Sequence, residues 1–123
     1  MPSLNGCLIE DLGLENILKT ANLIVNTTPV GMKNINIQAN RLNEMPLGTE
    51  IWKSINSQTI LYDLIYTPRP TPWLGWGKQN NFHCIDGLEM LVQQGAASLK
   101  LWSGKQEIPI SIMREAAELA LTF

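Results

Sequence analysis

Two short apolar runs, each released into a polar loop that carries proline, constrain this chain most. Residues 22–32 read NLIVNTTPVGM, and residues 59–74 read TILYDLIYTPRPTPWL. Runs of this kind suit buried parallel strands whose carboxyl ends open on a ligand crevice. The pattern predicts strands over Leu23 to Asn26 and Thr59 to Ile65, and a third short one over Asn81 to Ile85. Pro68, Pro70 and Pro72 forbid the second strand from continuing as ladder or helix. The stretch Gly75 to Asn80 therefore reads as a turn after Trp73 and Leu74. Gly31 to Pro46 is polar and asparagine-rich, a loop or a short turn of helix. Helices are expected between the strands, over residues 11–20 with Asp11 as cap and Leu12, Leu14, Ile17 and Leu18 packed, and over Leu47 to Ser54. Strands alternating with helices give an α/β fold with a small parallel sheet.

The segment GLEMLVQQGAASLKLWSG, residues 87–104, reads as the longest helix. Leu88, Leu91, Val92, Gly95, Leu99 and Trp102 form one apolar stripe at helical spacing, and Gly104 is a typical stop. Met90, Gln94, Ala97 and Leu101 form a second, mostly apolar face. A helix covered on both faces lies between two layers, or between a layer and a ligand. Gln94 then has two readings, a hydrogen-bonded core glutamine or a polar head beside the apolar wall of Met90. Pro109 starts a last helix to about Leu121, with Ile112, Met113, Ala116, Leu119 and Ala120 as its packed face and Arg114 paired with Glu118.

Composition excludes several classes. At 123 residues the chain holds one domain at most, and a net charge of −2 without a Lys/Arg cluster leaves no nucleic-acid footprint. No apolar run approaches the roughly 18 residues of a membrane span, and no signal peptide is visible. The cytoplasm is the expected location. Hydrophobic content of 45% against 16% charged implies an apolar surface, part of which an absent segment would cover. Cys7 and Cys84 match no metal or redox spacing and read as buried thiols. His83 reads as structural, because neighbouring strand residues such as Cys84 point to the opposite face. Asp63 reads as a strand-end carboxylate accepting local hydrogen bonds. No closely spaced glycines follow a strand, so no phosphate-cradling loop is present in these residues.

Taken in order, NTTPVGM, DLIYTPRPTPWL and the 87–104 helix resemble the shikimate dehydrogenase family over roughly residues 11–123. The resemblance implies the carboxyl-terminal portion of a Rossmann-like, NADP-binding domain. Residues 1–123 would then be a partial dinucleotide-binding domain with the family's last helices. The catalytic domain and glycine-rich loop would lie outside it. The resemblance assigns no catalytic residue here, since Lys19, Lys33, Lys53, Lys78, Lys100 and Lys105 match no motif position. It assigns Leu64 to the backbone bordering the nicotinamide and Gly87 to a close approach to that ring. Met90 would wall the nicotinamide, and Asn26 with Thr27 would lie near the ribose and pyrophosphate. Tyr66 and Gln94 would hydrogen-bond the substrate's hydroxyls, a task suited to phenol and amide groups. From the residues alone, Tyr66 also reads as a strand-end tyrosine in water, and Asn26, Thr27 and Thr28 as a turn-and-cap cluster. The implied function is NADP-dependent reduction of 3-dehydroshikimate to shikimate, with this chain inactive alone. The competing expectation is a non-catalytic interaction module, self-associating or complementing a separate amino-terminal half. Quinate in place of shikimate stays open.

Overall fold

A computed structural model describes residues 4–33 and 44–121. The elements run α1 (Leu14–Thr20), β1 (Leu23–Asn26), α2 (Thr49–Lys53), β2 (Ile60–Asp63), α3 (Pro72–Gln79), β3 (His83–Ile85), α4 (Leu88–Ser103) and α5 (Ile110–Leu121). The three strands form one parallel sheet in the order β1-β2-β3, with Asn26 opposite Asp63 and Tyr62 opposite Ile85. The α/β class and parallel sheet expected from the alternating pattern are present. Among the described residues β1 pairs only with β2, and Leu23 and Val25 are exposed along it.

Leu61, wholly buried on β2, anchors a core with Leu18, Ile55, Leu74, Trp52 and Trp73. The rings of Trp52 and Trp73 lie 5.0 Å apart at 42°, a tilted pair worth about 0.5–1.5 kcal/mol beyond its buried area. Gly77 lets α3 press onto the sheet, since a Cβ there would meet Cys84 Sγ at 2.7 Å and Leu61 Cδ1 at 2.8 Å. Along α4, Leu88, Val92 and Ala96 are buried at four-residue spacing. Gly104 ends that helix in the left-handed conformation at φ 67°.

Several local expectations are corrected. Gly75 to Asn80 is not a turn, because α3 runs through it to Gln79. Pro72 sits at the start of α3, where its missing N–H costs nothing, and the Thr71 hydroxyl accepts from Leu74 N at 3.3 Å. Asp11 does not cap α1. Its carboxylate accepts from Leu8 N in the preceding turn, and Gly13 holds the cap position. Leu12 is 99% exposed and Ile17 is exposed as well, so only Leu18 of that helix is buried. On α5, Ile110, Met113, Ala117 and Leu121 are the sheltered apolar positions, whereas Ile112, Ala116, Leu119 and Ala120 face outward. Arg114 reaches back to Glu89 on α4, which outcompetes a pairing with Glu118 along its own helix. The outer part of the expected α4 stripe is open, with Trp102 83% exposed, and the Met90–Leu101 face is open too. Cys7 is exposed and only Cys84 is half-buried. Of the Gly31 to Pro46 segment, residues 34–43 lie outside the described residues.

Candidate functional site

The carboxyl ends of β1 and β2 are tied by a buried polar knot. Asn26 donates its amide to Asp63 Oδ1 at 3.0 Å, Ile65 N donates to the same oxygen at 3.1 Å, and the Thr71 hydroxyl donates to Oδ2 at 2.7 Å. Burial pushes the Asp63 carboxyl above its ordinary range, while the bonds from Thr71, Ile65 and Asn26 pull the other way. One carboxylate thus joins β1, β2 and the cap of α3, the structural role read from the sequence.

Asn26 also builds the loop that leaves β1. Its side-chain oxygen accepts from Thr28 N at 3.0 Å and Thr28 Oγ1 at 2.7 Å, and its nitrogen also donates to Val30 O at 3.4 Å. Those bonds use the full hydrogen-bonding capacity of an asparagine side chain, and Asn26 is 4% exposed. The loop turns at Gly31, φ 91°, and Lys33 N then donates to Thr67 O at 3.0 Å. The β1 and β2 loops are therefore pinned to each other.

Between these loops lies a cleft of about 500 Å³, lined by Thr27, Thr28, Met32, Lys33, Leu64 and Tyr66 among others. Tyr66 is 38% exposed. The cleft combines an apolar wall with hydroxyl groups. Its size and chemistry fit the ring-and-ribose end of a nicotinamide coenzyme. The one closely spaced glycine pair among the described residues, Gly75 and Gly77, makes no pyrophosphate cradle, since both are interior to α3.

Helix α4 is fastened to the same loops. Gly87 N donates to Ile65 O at 3.2 Å, and a Cβ on Gly87 would collide with the Leu64 carbonyl oxygen. The chain itself thus requires glycine at 87, independently of any ligand. Asp86 accepts from Leu88 N at 3.1 Å through Oδ1 and from Arg69 Nε at 2.7 Å through Oδ2. The sequence reading missed both Arg69 and Asp86. An aspartate two residues before an apolar helical run was the available signal.

Of the residues singled out from the sequence, Thr27, Leu64 and Tyr66 meet in the cleft, and Asn26 lies buried beneath it. Gly87 abuts the cleft through Leu64's backbone. Met90 and Gln94 sit one turn apart on the exposed side of α4 and do not line the cleft. Another cleft, of about 580 Å³ between α4 and the start of α5, contains none of these residues. Among the described residues no cluster of acidic, cysteine or histidine side chains could hold a metal ion, and no helix is long and apolar enough to cross a membrane.

Comparison with known proteins gives a consistent picture. The family described as shikimate 5'-dehydrogenase C-terminal domain matches residues 87–118. A shikimate dehydrogenase (NADP(+)) of Prochlorococcus marinus (strain MIT 9312) is 46% identical over 114 residues, covering 93% of this chain and 39% of the relative. One from Trichormus variabilis is 45% identical over 105 residues, covering 85% and 34%. Among solved structures, shikimate 5-dehydrogenase from Listeria monocytogenes in complex with shikimate and NAD superimposes with a TM-score of 0.73 at 27% identity, covering 88% of this chain and 35% of that one. The Thermus thermophilus enzyme in complex with NADP(H) and shikimate gives 0.69 at 32% identity, covering 87% and 37%. The chain thus spans under two fifths of the length of the curated relatives it matches, 39% for the first.

Proposed function

We propose that this chain, which belongs to the shikimate dehydrogenase family, is the carboxyl-terminal part of the coenzyme domain of an NADP-dependent enzyme interconverting 3-dehydroshikimate and shikimate. The bound coenzyme supplies or accepts the hydride, and these residues hold and orient the reactants. In this reading Leu64 walls the nicotinamide within the cleft, and Met90, exposed on α4, is covered by the bound coenzyme. Thr27 faces the ribose, held by an Asn26 whose own side chain is fully engaged in the loop. Tyr66 and Gln94 hydrogen-bond the substrate's hydroxyls, and Gly87 keeps α4 close to Leu64. Proton transfer and pyrophosphate binding fall to residues outside these 123, and the chain alone is expected to be inactive. The open edge of β1 suits pairing with a preceding strand of the same sheet, which favours an amino-terminal half as the partner over self-association. A cytoplasmic location follows from the biosynthetic role.

One observation carries the reading. Thr27, Leu64 and Tyr66, chosen from two separate sequence motifs, line a single cleft at the carboxyl ends of adjacent parallel strands, the position at which open α/β sheets bind ligands. The test is oxidation of shikimate by the full-length gene product, followed by the absorbance of the reduced coenzyme with NADP and NAD, and with quinate as alternative substrate. Turnover with NADP and shikimate supports the reading. Absence of turnover with every pair, in a folded protein, overturns it.

A further inference from the structure

We infer that Arg69 and Asp86 form a positioning pair that sets the Tyr66-bearing loop against the first turns of α4. The inference deepens the functional reading above and rests on it. Two segments must be aligned for that reading to work: the loop after β2, which carries Tyr66, and the start of α4, which carries Met90 and Gln94. The loop bends away from β2 through prolines 68 and 70, and its backbone makes one hydrogen bond to α4's entry, from Gly87 N to Ile65 O at 3.2 Å. Lys33 N to Thr67 O and the Thr71 hydroxyl to Asp63 Oδ2 hold the loop against the β1 loop and the end of β2, but towards α4 this is its single backbone tie.

Arg69, three residues beyond Tyr66, supplies the second point of attachment. Its Nε donates to Asp86 Oδ2 at 2.7 Å. Asp86 is already fixed, because its other oxygen accepts from Leu88 N at the start of α4. The carboxylate therefore links a helix terminus on one side to the loop on the other. An ion pair this open to water, with side chains 37% and 23% exposed, adds little to global stability. Its geometric effect is larger, because two attachments define an orientation where one does not. Displacement of reacting groups by about 1 Å is enough to lower a rate on the order of 100-fold.

The test uses the full-length gene product and three variants. Arg69→Met keeps the side chain's length and removes its charge, Arg69→Lys restores the charge, and Asp86→Asn weakens the link while keeping an acceptor for Leu88 N. Expected for Arg69→Met is a fall in kcat of roughly 10-fold, with KM for shikimate changed by less than about 3-fold. The thermal midpoint should stay within about 3 °C of the wild type. Hydrogen exchange at the Gly87 amide should quicken. Arg69→Lys should recover most of the loss, and Asp86→Asn should fall between. Unchanged kcat and unchanged exchange at Gly87 in Arg69→Met, beside an active wild type, overturn the inference. So does a loss of turnover that merely tracks a large drop in thermal midpoint. A folded wild type without turnover instead overturns the functional reading and, with it, this one.

Discussion

Replacing glycine by alanine at positions 87 and 95 should change stability in opposite directions, although both residues belong to the same stretch of chain. At Gly87 the added methyl would overlap the Leu64 carbonyl, which is backbone and cannot rotate away. The start of α4 would have to retreat from the end of β2, stretching the Gly87 N to Ile65 O bond of 3.2 Å. Overpacking of this kind costs about 1–3 kcal/mol and a weakened hydrogen bond adds about 0.5–1.5, so Gly87→Ala should destabilise by about 1.5–4.5 kcal/mol. At Gly95 the methyl would meet only Met113 Cε, at 3.4 Å, the flexible end of a side chain. There alanine gains the ordinary helix preference, about 0.5–1 kcal/mol. The assay is urea unfolding of the full-length gene product, followed by the fluorescence of Trp52, Trp73 and Trp76, all of which lie in this chain. A Gly87→Ala loss under about 0.5 kcal/mol, or equal losses for both variants, would refute the close approach of α4 to Leu64.

Three further outcomes follow from single side chains. Trp52 donates its indole N–H to Leu47 O at 3.0 Å, while the buried Trp73 N–H has no partner among the described residues. Trp52→Phe should therefore cost about 1 kcal/mol or more beyond Trp73→Phe in urea unfolding, and the reverse order would contradict the orphaned donor. The Glu89 carboxyl is held down at about 2 by hydrogen bonds from Arg114 and Gln93. Its contribution to stability is present above its ordinary value of 4.5 and lost as pH falls through about 2. An NMR titration should show Glu89 returning towards 4.5 in Arg114→Gln, and an unshifted titration there would be evidence against the α4–α5 clamp. Asp63 has the opposite sign, because burial raises it above its ordinary 3.8. Its protonation stabilises the fold fully below 3.8, and that gain is lost as pH rises through the raised value. Measured by urea midpoints, the advantage of wild type over Asp63→Asn should grow as pH falls from about 7 towards about 4. A flat difference would mean that the carboxyl is not desolvated.

The strands, the helices other than α3 and the limits of α4 are legible in the sequence because their signals are local. An apolar run ending at Asn26 or Asp63, and a glycine stop at 104, depend on nearby residues alone. Helix α3 is not legible in that way, since three prolines suggest a break and only the Thr71 cap turns Pro72 from a breaker into a first residue. The outward face of α5 escapes sequence reasoning because Arg114 pairs with Glu89, 25 positions away, and rotates which apolar residues can meet α4. Cys7 and Leu12 have side chains that suit packing, yet their surroundings in this structure are solvent. At the site, residue types and the family resemblance point to Thr27, Leu64 and Tyr66, which the structure brings into one cleft. They cannot reveal that Asn26 is wholly engaged by Thr28, Val30 and Asp63, or that Gly87 is demanded by Leu64's own carbonyl. Arg69 and Asp86 stay hidden because their meaning lies in a contact between separate loops.

The central claim is that Tyr66, in the cleft, and Gln94, on the open side of α4, address the same substrate. It is tested most directly by steady-state shikimate oxidation in the full-length gene product, comparing Tyr66→Phe, Gln94→Ala and the double variant. On the proposed reading each single change removes a substrate hydrogen bond, and kcat/KM should fall by roughly 5- to 100-fold. The two losses should fail to add by more than about 0.5 kcal/mol if both groups hold one ligand. Full activity in Gln94→Ala, beside an impaired Tyr66→Phe, would contradict the account by leaving α4 outside the site.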